Sequence, residues 1–279
     1  MMTIDEALAY GRFALTHSPT PELDARLLLE AALNVSYSYL LGHGDEPLTA
    51  VSATTYRAWV ERAKQQEPIP YILGTAHFFD FELDVSPDVL IPRPETEQLV
   101  EIAVKWARAR GAVQIVDVGT GSGCIPIAIA RQHQEAQITT VDISPAALTI
   151  AKKNGTKLAP NRIHFLEGDL LEPIDFQIDL ITANLPYVTN AEWTHLDDGV
   201  KLFEPSLALL GGKDGLDLIR KLLQQATSKL SKNGAILLEI GWQQGAATKQ
   251  LATTFFPSAQ VDVIQDYAGH DRFVQILVG

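Results

Sequence analysis

A single cysteine, Cys124, occurs in 279 residues. No internal disulfide framework and no multi-cysteine zinc site can form from it, and a reducing compartment suits such a chain. Cys124 itself reads as a small buried residue. Long apolar runs are also missing: no stretch approaches the roughly 20 residues that span a bilayer. The opening segment MMTIDEALAYGRF carries acids early and lacks a signal-peptide core. A cytoplasmic protein with no membrane contact is expected. Positive charge is the scarcer sign, with 22 Lys and Arg against 34 Asp and Glu and a formal net charge of −12. That balance disfavours binding naked nucleic acid by neutralising phosphates, whereas it would steer a basic protein partner. The 7 histidines show no metal-ligand spacing, so no metal is expected.

What is present is an ordinary folded composition, 46% hydrophobic and 20% charged, in two domains of unequal size. The first, 1–74, reads as helices only. Thr3 and Glu6 form a capping signal before Ala7, Tyr10 and Ala14. Thr20-Pro21 opens a second helix with Leu23, Leu27 and Ala31 on one side. Amphipathic stretches follow near Ser36–Leu41 and Thr49–Lys64, and Pro68 and Pro70 end the pattern. Residues 75–93 form a linker. From His77 to Ile91 the period changes to 2, with Ser86-Pro87-Asp88 as the turn of a hairpin before Val89-Leu90-Ile91.

The domain at 94–279 begins with a helix running through Arg110. Short apolar strands then alternate with helices: Gln114–Val118, Ile138–Val141, Ile163–Leu166, Ile178–Thr182 and Ala235–Ile240. Such alternation implies a mostly parallel sheet covered by helices on both faces, an α/β, Rossmann-like class. Gln260–Ile264 and Arg272–Val278, joined near Gly269-His270, would pair antiparallel at one side.

The first of these strands runs into Gly119, Thr120, Gly121, Ser122 and Gly123, and then into an apolar helix. Glycines there let the backbone turn sharply and approach a ligand without a Cβ in the way. Cys124 stands where a dinucleotide-binding G-x-G-x-x-G would place its last glycine, which weakens a nicotinamide or flavin reading. Asp142, 23 residues beyond Gly119, ends the second strand, where a carboxylate accepts from both ribose hydroxyls of a nucleoside. The plainer alternative is that the glycines end a strand and Asp142 caps the next helix with Ser144 and Pro145. Strand, loop, helix, strand and terminal acid in this order favour an adenosine moiety as ligand. The third strand ends in Glu167-Gly168-Asp169-Leu170, where Asp169 would accept from the adenine amino group and Leu170 cover its face. A solvated turn is the competing reading.

The fourth strand ends in Asn184-Leu185-Pro186-Tyr187. Alone it is an ordinary turn. Beside a nucleoside loop it offers what methylation of a planar NH2 group requires. Such a nitrogen is a poor nucleophile because its lone pair is delocalised. Acceptors for its N–H groups must orient it, and the Asn184 side-chain oxygen with the Leu185 carbonyl would serve. Tyr187 would stack on the flat group near a sulfonium. No strong base is needed, since most of the rate would come from alignment, worth up to roughly 7 to 11 kcal/mol in favourable cases.

Several motifs together resemble one family along nearly the whole chain: P-I-P-Y-I-L-G at 68–74, V-L-I-P-R-P-E-T-E at 89–97, D-V-G-T-G-S-G, V-D-I-S, N-L-P-Y, E-P-S-L-A-L at 204–209, G-G-K-D-G-L at 211–216 and the late D-R-F. The chain is similar to the protein-(glutamine-N5) methyltransferases of release factors, the PrmC/HemK family. The resemblance implies a helical amino-terminal domain that helps dock the release factor and a seven-stranded class I methyltransferase domain. It further implies methyl transfer from S-adenosyl-L-methionine, leaving S-adenosyl-L-homocysteine, to the glutamine of a Gly-Gly-Gln motif. By position, Gly119–Gly123 and Asp142 would contact the cofactor, and Asn184–Tyr187 would form the glutamine site; Asp169, Leu170 and Asn184 are also expected among the cofactor contacts. Leu185 departs from the family's usual N-P-P-Y: the backbone carbonyl survives, but a φ restraint is lost.

Arg93, Glu95, Thr96 and Glu97 would line the cofactor's methionine end, or Pro94 simply opens a helix whose first-turn acids suit its dipole. Glu204 and Pro205 would shape a lid or a plain loop, and Asp271-Arg272 would stabilise the final strand. A monomer is expected. Competing readings are an adenine-N6 methyltransferase on DNA or RNA, which the acidic charge and the missing basic segment disfavour, and a non-catalytic nucleotide sensor of the same fold.

Overall fold

A computed structural model describes residues 2–111 and 113–279. They divide into two compact units, Met1–Thr75 with Asp197–Phe203, and Ala76–Leu196 with Glu204–Gly279.

The first unit contains α1 (Ile4–Ala14), α2 (Pro21–Leu33), α3 (Tyr37–Gly42), α4 (Ala50–Lys64) and α5 (Ile69–Leu73). The Thr3–Glu6 capping box is complete: the Thr3 side chain accepts from the Glu6 N–H at 3.3 Å, and Glu6 accepts from the Thr3 N–H at 2.9 Å. The buried face of α2 differs from the expected one. Ala25, Leu28 and Leu29 point inward, whereas Leu23 is 41% exposed. A run of three leucines, 27–29, does not specify which side turns in. Close packing does: a Cβ on Gly11 of α1 would lie 2.8 Å from Ala25 Cβ, so the helices meet at these two small residues.

The second unit opens with a hairpin, β1 (Thr75–Phe78) and β2 (Phe81–Asp84). Its turn is at Phe79-Asp80, not at Ser86–Asp88, and Val89–Ile91 is not a strand. Phe79 takes φ 50°, and its N–H donates to Glu97 Oε1 at 2.7 Å. The turn is thus held by a distant carboxylate rather than by turn-forming residues. Phe78, Phe81 and Leu83 are buried.

There follow α6 (Glu95–Arg108), β3 (Gln114–Val118), α7 (Cys124–Gln132), β4 (Gln137–Asp142), α8 (Pro145–Leu158), β5 (Ile163–Glu167) and β6 (Ile178–Asn184). After them come β7 (Val188–Thr189), α9 (Asn190–Trp193), α10 (Asp198–Phe203, in the first unit), a short 3₁₀ turn and β8 (Leu210–Gly212). The chain closes with α11 (Asp217–Lys229), β9 (Leu230–Glu239), α12 (Gly245–Phe255), β10 (Gln260–Gln265) and β11 (Asp271–Leu277). Seven strands form one sheet in the order β10-β11-β9-β6-β3-β4-β5. All neighbours are parallel except β11, which is antiparallel to β9 and β10.

Helices on both faces explain the near-continuous apolar strands. Ile115, Leu180 and Leu237 face α6 and α7, while Val116, Ile181, Ile236 and Leu238 face α11 and α12. Trimming one such leucine to alanine costs about 2–5 kcal/mol. From β3 the chain builds outward through β4 to β5, then returns to the other side of β3 as β6. Ligands bind at such a reversal, outside the carboxyl ends of the strands, and the loops after β3 and β6 lie there side by side.

Candidate functional site

The loop after β3 owes its shape to positive φ at Gly119, Gly121 and Gly123, 74°, 53° and 85°, a region that costs a side chain energy. Space also matters. A Cβ on Gly119 would lie 3.0 Å from Leu185 Cδ2, and one on Gly123 would lie 3.2 Å from Ile127 Cδ1, whereas one on Gly121 would meet nothing within 4 Å. Asp142 ties this loop to β4: Oδ2 accepts from the Gly121 N–H and Oδ1 from the Ser144 N–H, each at 2.9 Å. The cap of α8 is Ser144, whose side chain accepts from the Ala147 N–H at 3.2 Å. Burial raises the Asp142 carboxyl, opposed by those backbone hydrogen bonds. Fully buried Asn154 joins the same loop to the hairpin, donating to the carbonyls of Ser122 and Asp84, each at 2.9 Å.

At the end of β5, Leu170 holds φ 55° and is 7% exposed. Asp169 is ion-paired with Lys221 of α11, a partner no local motif could announce.

Asn184 ends β6 in register with Glu239 of β9. Between them reaches Thr96, buried in the first turn of α6: its hydroxyl donates to Glu239 Oε2 at 2.7 Å and accepts from Asn184 Nδ2 at 3.4 Å. Burial pushes the Glu239 carboxyl up to about 7, opposed first by the Thr96 hydrogen bond and then by the charge of Arg272. Beneath the glycine loop, burial likewise pushes Asp117 up to about 7, opposed first by the Thr182 hydroxyl, which donates to it at 2.8 Å. Sequence reasoning missed Glu239 and Asp117. The available signal was a carboxylate in or at the end of an apolar run, Ile115-Val116-Asp117-Val118 and Ala235-Ile236-Leu237-Leu238-Glu239.

The backbone beyond Asn184 is gripped from outside. A Cβ on Gly211 would lie 2.5 Å from the Pro186 carbonyl oxygen, and one on Gly215 would lie 2.2 Å from that of Tyr187. Gln244 Nε2 donates to the Tyr187 carbonyl at 2.9 Å, while its Oε1 accepts from the Gly241 N–H at 2.9 Å. The G-G-K-D-G-L segment therefore cradles this loop. Among the described residues no donor meets the Leu185 carbonyl.

These elements enclose a cavity of about 350 Å³ lined by Gly119–Ser122, Asp142, Asp169, Leu170 and Asn184–Pro186, together with Arg93, Thr96, Pro205 and Lys221. Gly123 and Tyr187 do not line it. Tyr187 borders a neighbouring cavity of about 470 Å³ with Trp242, His195 and Arg272, and burial pushes its phenol up to about 12. Glu95 and Glu97 also stand outside the first cavity. Arg93 Nη2 pairs with buried Glu204 Oε1 at 2.5 Å, and Glu204 Oε2 accepts from the Ile91 N–H at 3.4 Å, so the segments before α6 and after α10 are pinned together over the cavity. Arg272 pairs with Asp266 at 3.3 Å. No cluster of candidate metal ligands occurs among the described residues, and no helix among them is long and apolar enough to cross a membrane.

Sheet order, glycine loop and cavity define a Rossmann-like, seven-stranded methyltransferase domain. The family described as "PrmC N-terminal domain" matches residues 6–74, and that described as "Methyltransferase small domain" matches 97–210. The release factor glutamine methyltransferase of Bacillus subtilis (strain 168) is 37% identical over 285 residues, covering 100% of this chain and 99% of the relative. That of Moorella thermoacetica is 38% identical over 275 residues, covering 97% of each. Among solved structures, a methyltransferase from Pyrococcus furiosus aligns with TM-score 0.55 at 17% identity, over 82% of this chain and 99% of its own, a likeness of fold. The chain belongs to the release factor glutamine methyltransferase family, and it is a methyltransferase.

Proposed function

We propose that the protein transfers a methyl group from S-adenosyl-L-methionine to the side-chain amide nitrogen, N5, of the glutamine in the Gly-Gly-Gln motif of peptide-chain release factors. The observation that carries this reading is the convergence of two loops on one cavity: a glycine loop with its carboxylate, and an asparagine whose amide is anchored from behind.

The residues present fit the cofactor. A bare backbone lies at Gly121, Asp142 is held with acceptor capacity left on both oxygens, and the cavity falls in the range of small-molecule sites. When bound, S-adenosyl-L-methionine supplies an electrophilic methyl group on a sulfonium. Gly119–Ser122 would carry its backbone-facing edge, with Gly123 shaping the loop from behind, Asp142 its ribose hydroxyls, and Asp169 and Leu170 its adenine. Asp169 does this while paired with Lys221, so only its second oxygen remains for the amino group.

Asn184 Oδ1 and the Leu185 carbonyl accept the two N–H bonds of the substrate amide. They turn its nitrogen toward the methyl donor and favour the pyramidal form in which the lone pair is available. Pro186 shapes the wall behind it, and Tyr187 borders the neighbouring cavity. Once methylated, the nitrogen sheds a proton to water, so no buried base is required. The helical 1–74 domain, with the 75–93 linker, would help dock the release factor ahead of the methyltransferase domain at 94–279. The net charge of −12 would steer a basic substrate, with a rate that falls as salt is added.

The decisive experiment incubates purified release factor with the protein and S-adenosyl-L-methionine and weighs the product by intact-protein mass spectrometry. One added methyl is expected, absent when the motif glutamine is replaced. Cofactor binding without methylation of the release factor would overturn the substrate assignment, and methylation of adenine in a nucleic acid would replace it.

A further inference from the structure

We propose that Glu239 and Thr96 are positioning residues that decide which end of the Asn184 side chain faces the cavity, an inference that rests on Asn184 holding the acceptor amide. A threonine hydroxyl has one proton. Here it is committed to Glu239 Oε2 at 2.7 Å, so toward Asn184 the hydroxyl offers only lone pairs. Asn184 must then present its NH2, and Nδ2 lies 3.4 Å from Thr96 Oγ1. That contact is long; it orients the amide more than it binds it.

With Nδ2 turned to Thr96, Oδ1 is the end left to accept an N–H from a substrate amide. Were Asn184 flipped, two oxygens would face each other across that gap, and an NH2 would meet the N–H groups of the acceptor. An amide's orientation is ordinarily ambiguous. Here a carboxylate two bonds along the hydrogen-bond chain resolves it. The three residues come from α6, β6 and β9, and Glu239 is Asn184's register partner in the sheet, so neither backbone can shift to escape the arrangement. Glu239 does not itself line the cavity and reaches it only through Thr96 and Asn184, which do. Its burial at 2% exposure, directly after the apolar run Ala235-Ile236-Leu237-Leu238, is costly unless it serves a neighbour.

The test uses the full-length protein and the substitutions T96V, T96S and E239L. Valine keeps the shape of threonine without the hydroxyl, and leucine suits the apolar strand. Turnover of release factor should fall 10- to 100-fold in T96V and in E239L, with the calorimetric affinity for S-adenosyl-L-methionine within threefold of wild type. T96S, which restores the hydroxyl, should recover most of the loss, and the T96V/E239L double variant should be no slower than the slower single variant, because the residues act as one unit. In the free protein, the Asn184 side-chain NH2 resonances, assigned by their loss in N184D, should be protected from exchange in wild type and T96S but not in T96V or E239L. Undiminished turnover in T96V, or losses that multiply in the double variant, would overturn the inference. Should wild type leave the release factor unmethylated, the proposed substrate is wrong; the NMR comparison then decides the relay by itself, with equal exchange in wild type and T96V refuting it.

Discussion

The two halves of the cavity are built by different means. On the glycine-loop side the working parts are backbone: positive φ angles at three glycines, and one carboxylate held by the N–H groups of Gly121 and Ser144. On the asparagine side they are side chains and close approaches drawn from three separated places, Thr96, the 211–215 segment and Glu239. Backbone geometry tolerates the loss of a single side chain gradually, because neighbouring N–H groups stay where they were. A chain of hydrogen bonds in which each member orients the next fails at any link. The asparagine half should therefore be the more brittle in catalysis, and the glycine half should report mainly in affinity.

The strongest challenge to this contrast is N184A. Turnover should fall by about 10³-fold, roughly 4 kcal/mol of transition-state stabilisation, with calorimetric affinity for S-adenosyl-L-methionine within a few fold; normal turnover would remove Asn184 from the acceptor site. Next is G215A. Its Cβ would press on the Tyr187 carbonyl oxygen from 2.2 Å, at a backbone φ of 74°, so a loss of about 2–4 kcal/mol in chemical denaturation and a turnover lower by about 10²-fold are expected. If G215A proves as stable and active as wild type, the cradle is not constraining the loop. D142A probes the other half: cofactor affinity should drop about 10- to 50-fold, with turnover at saturating cofactor much less affected, and unchanged affinity in calorimetry would refute the ribose role.

The smallest effect is on stability against pH. Asp117 and Glu239 are both pushed up to about 7 by burial, so the folded state holds their protons more tightly than the unfolded chain does. Their contribution is full below the ordinary carboxylate range and is lost as pH rises through about 7. Arg272 pulls Glu239 down, whereas Glu95 pushes it up. A melting temperature a few degrees lower at pH 8 than at pH 5.5 is expected, with a smaller difference in D117N; an identical slope in D117N would show that Asp117 does not titrate in this range.

How legible each half was in the sequence follows from the same contrast. Gly119, Gly121, Gly123 and Asp142 belong to a strand–loop–helix–strand unit whose parts are close along the chain, so period and spacing suffice. The alternation of strands and helices likewise exposed the seven-stranded sheet, β10 and β11 included. Thr96, Glu204 and Gly215 fall in segments that stood out in the sequence, but the partners that give them their roles lie across the fold, and Gln244 has no local signature. Glu239 had one, an acid amid apolar neighbours, but its meaning depends on which strand lies beside β9. The hairpin misled for a related reason. Ser86-Pro87-Asp88 has the better turn chemistry, yet Glu97, 18 residues away, fixes the turn at Phe79. The inner face of α2 was misjudged because three successive leucines carry no phase, and Gly11 decided it from another helix.

The place of β11 has a consequence for how the chain reaches its native state. Last of the seven strands to be made, it lies inside the sheet, between β10 and β9. Until it arrives, β9 offers an unsatisfied ladder along Ala235–Glu239, among the most apolar stretches in the protein, and β10 has no partner at all. The β10–β11 hairpin closes locally through the Asp266–His270 turn, a step of about 1–10 μs for hairpins in general. The interval of risk is thus set by synthesis rather than by folding. While the segment that carries β11 is being synthesised, a sticky edge stands open, and the nascent chain's exposure to aggregation should peak just before β11 is complete.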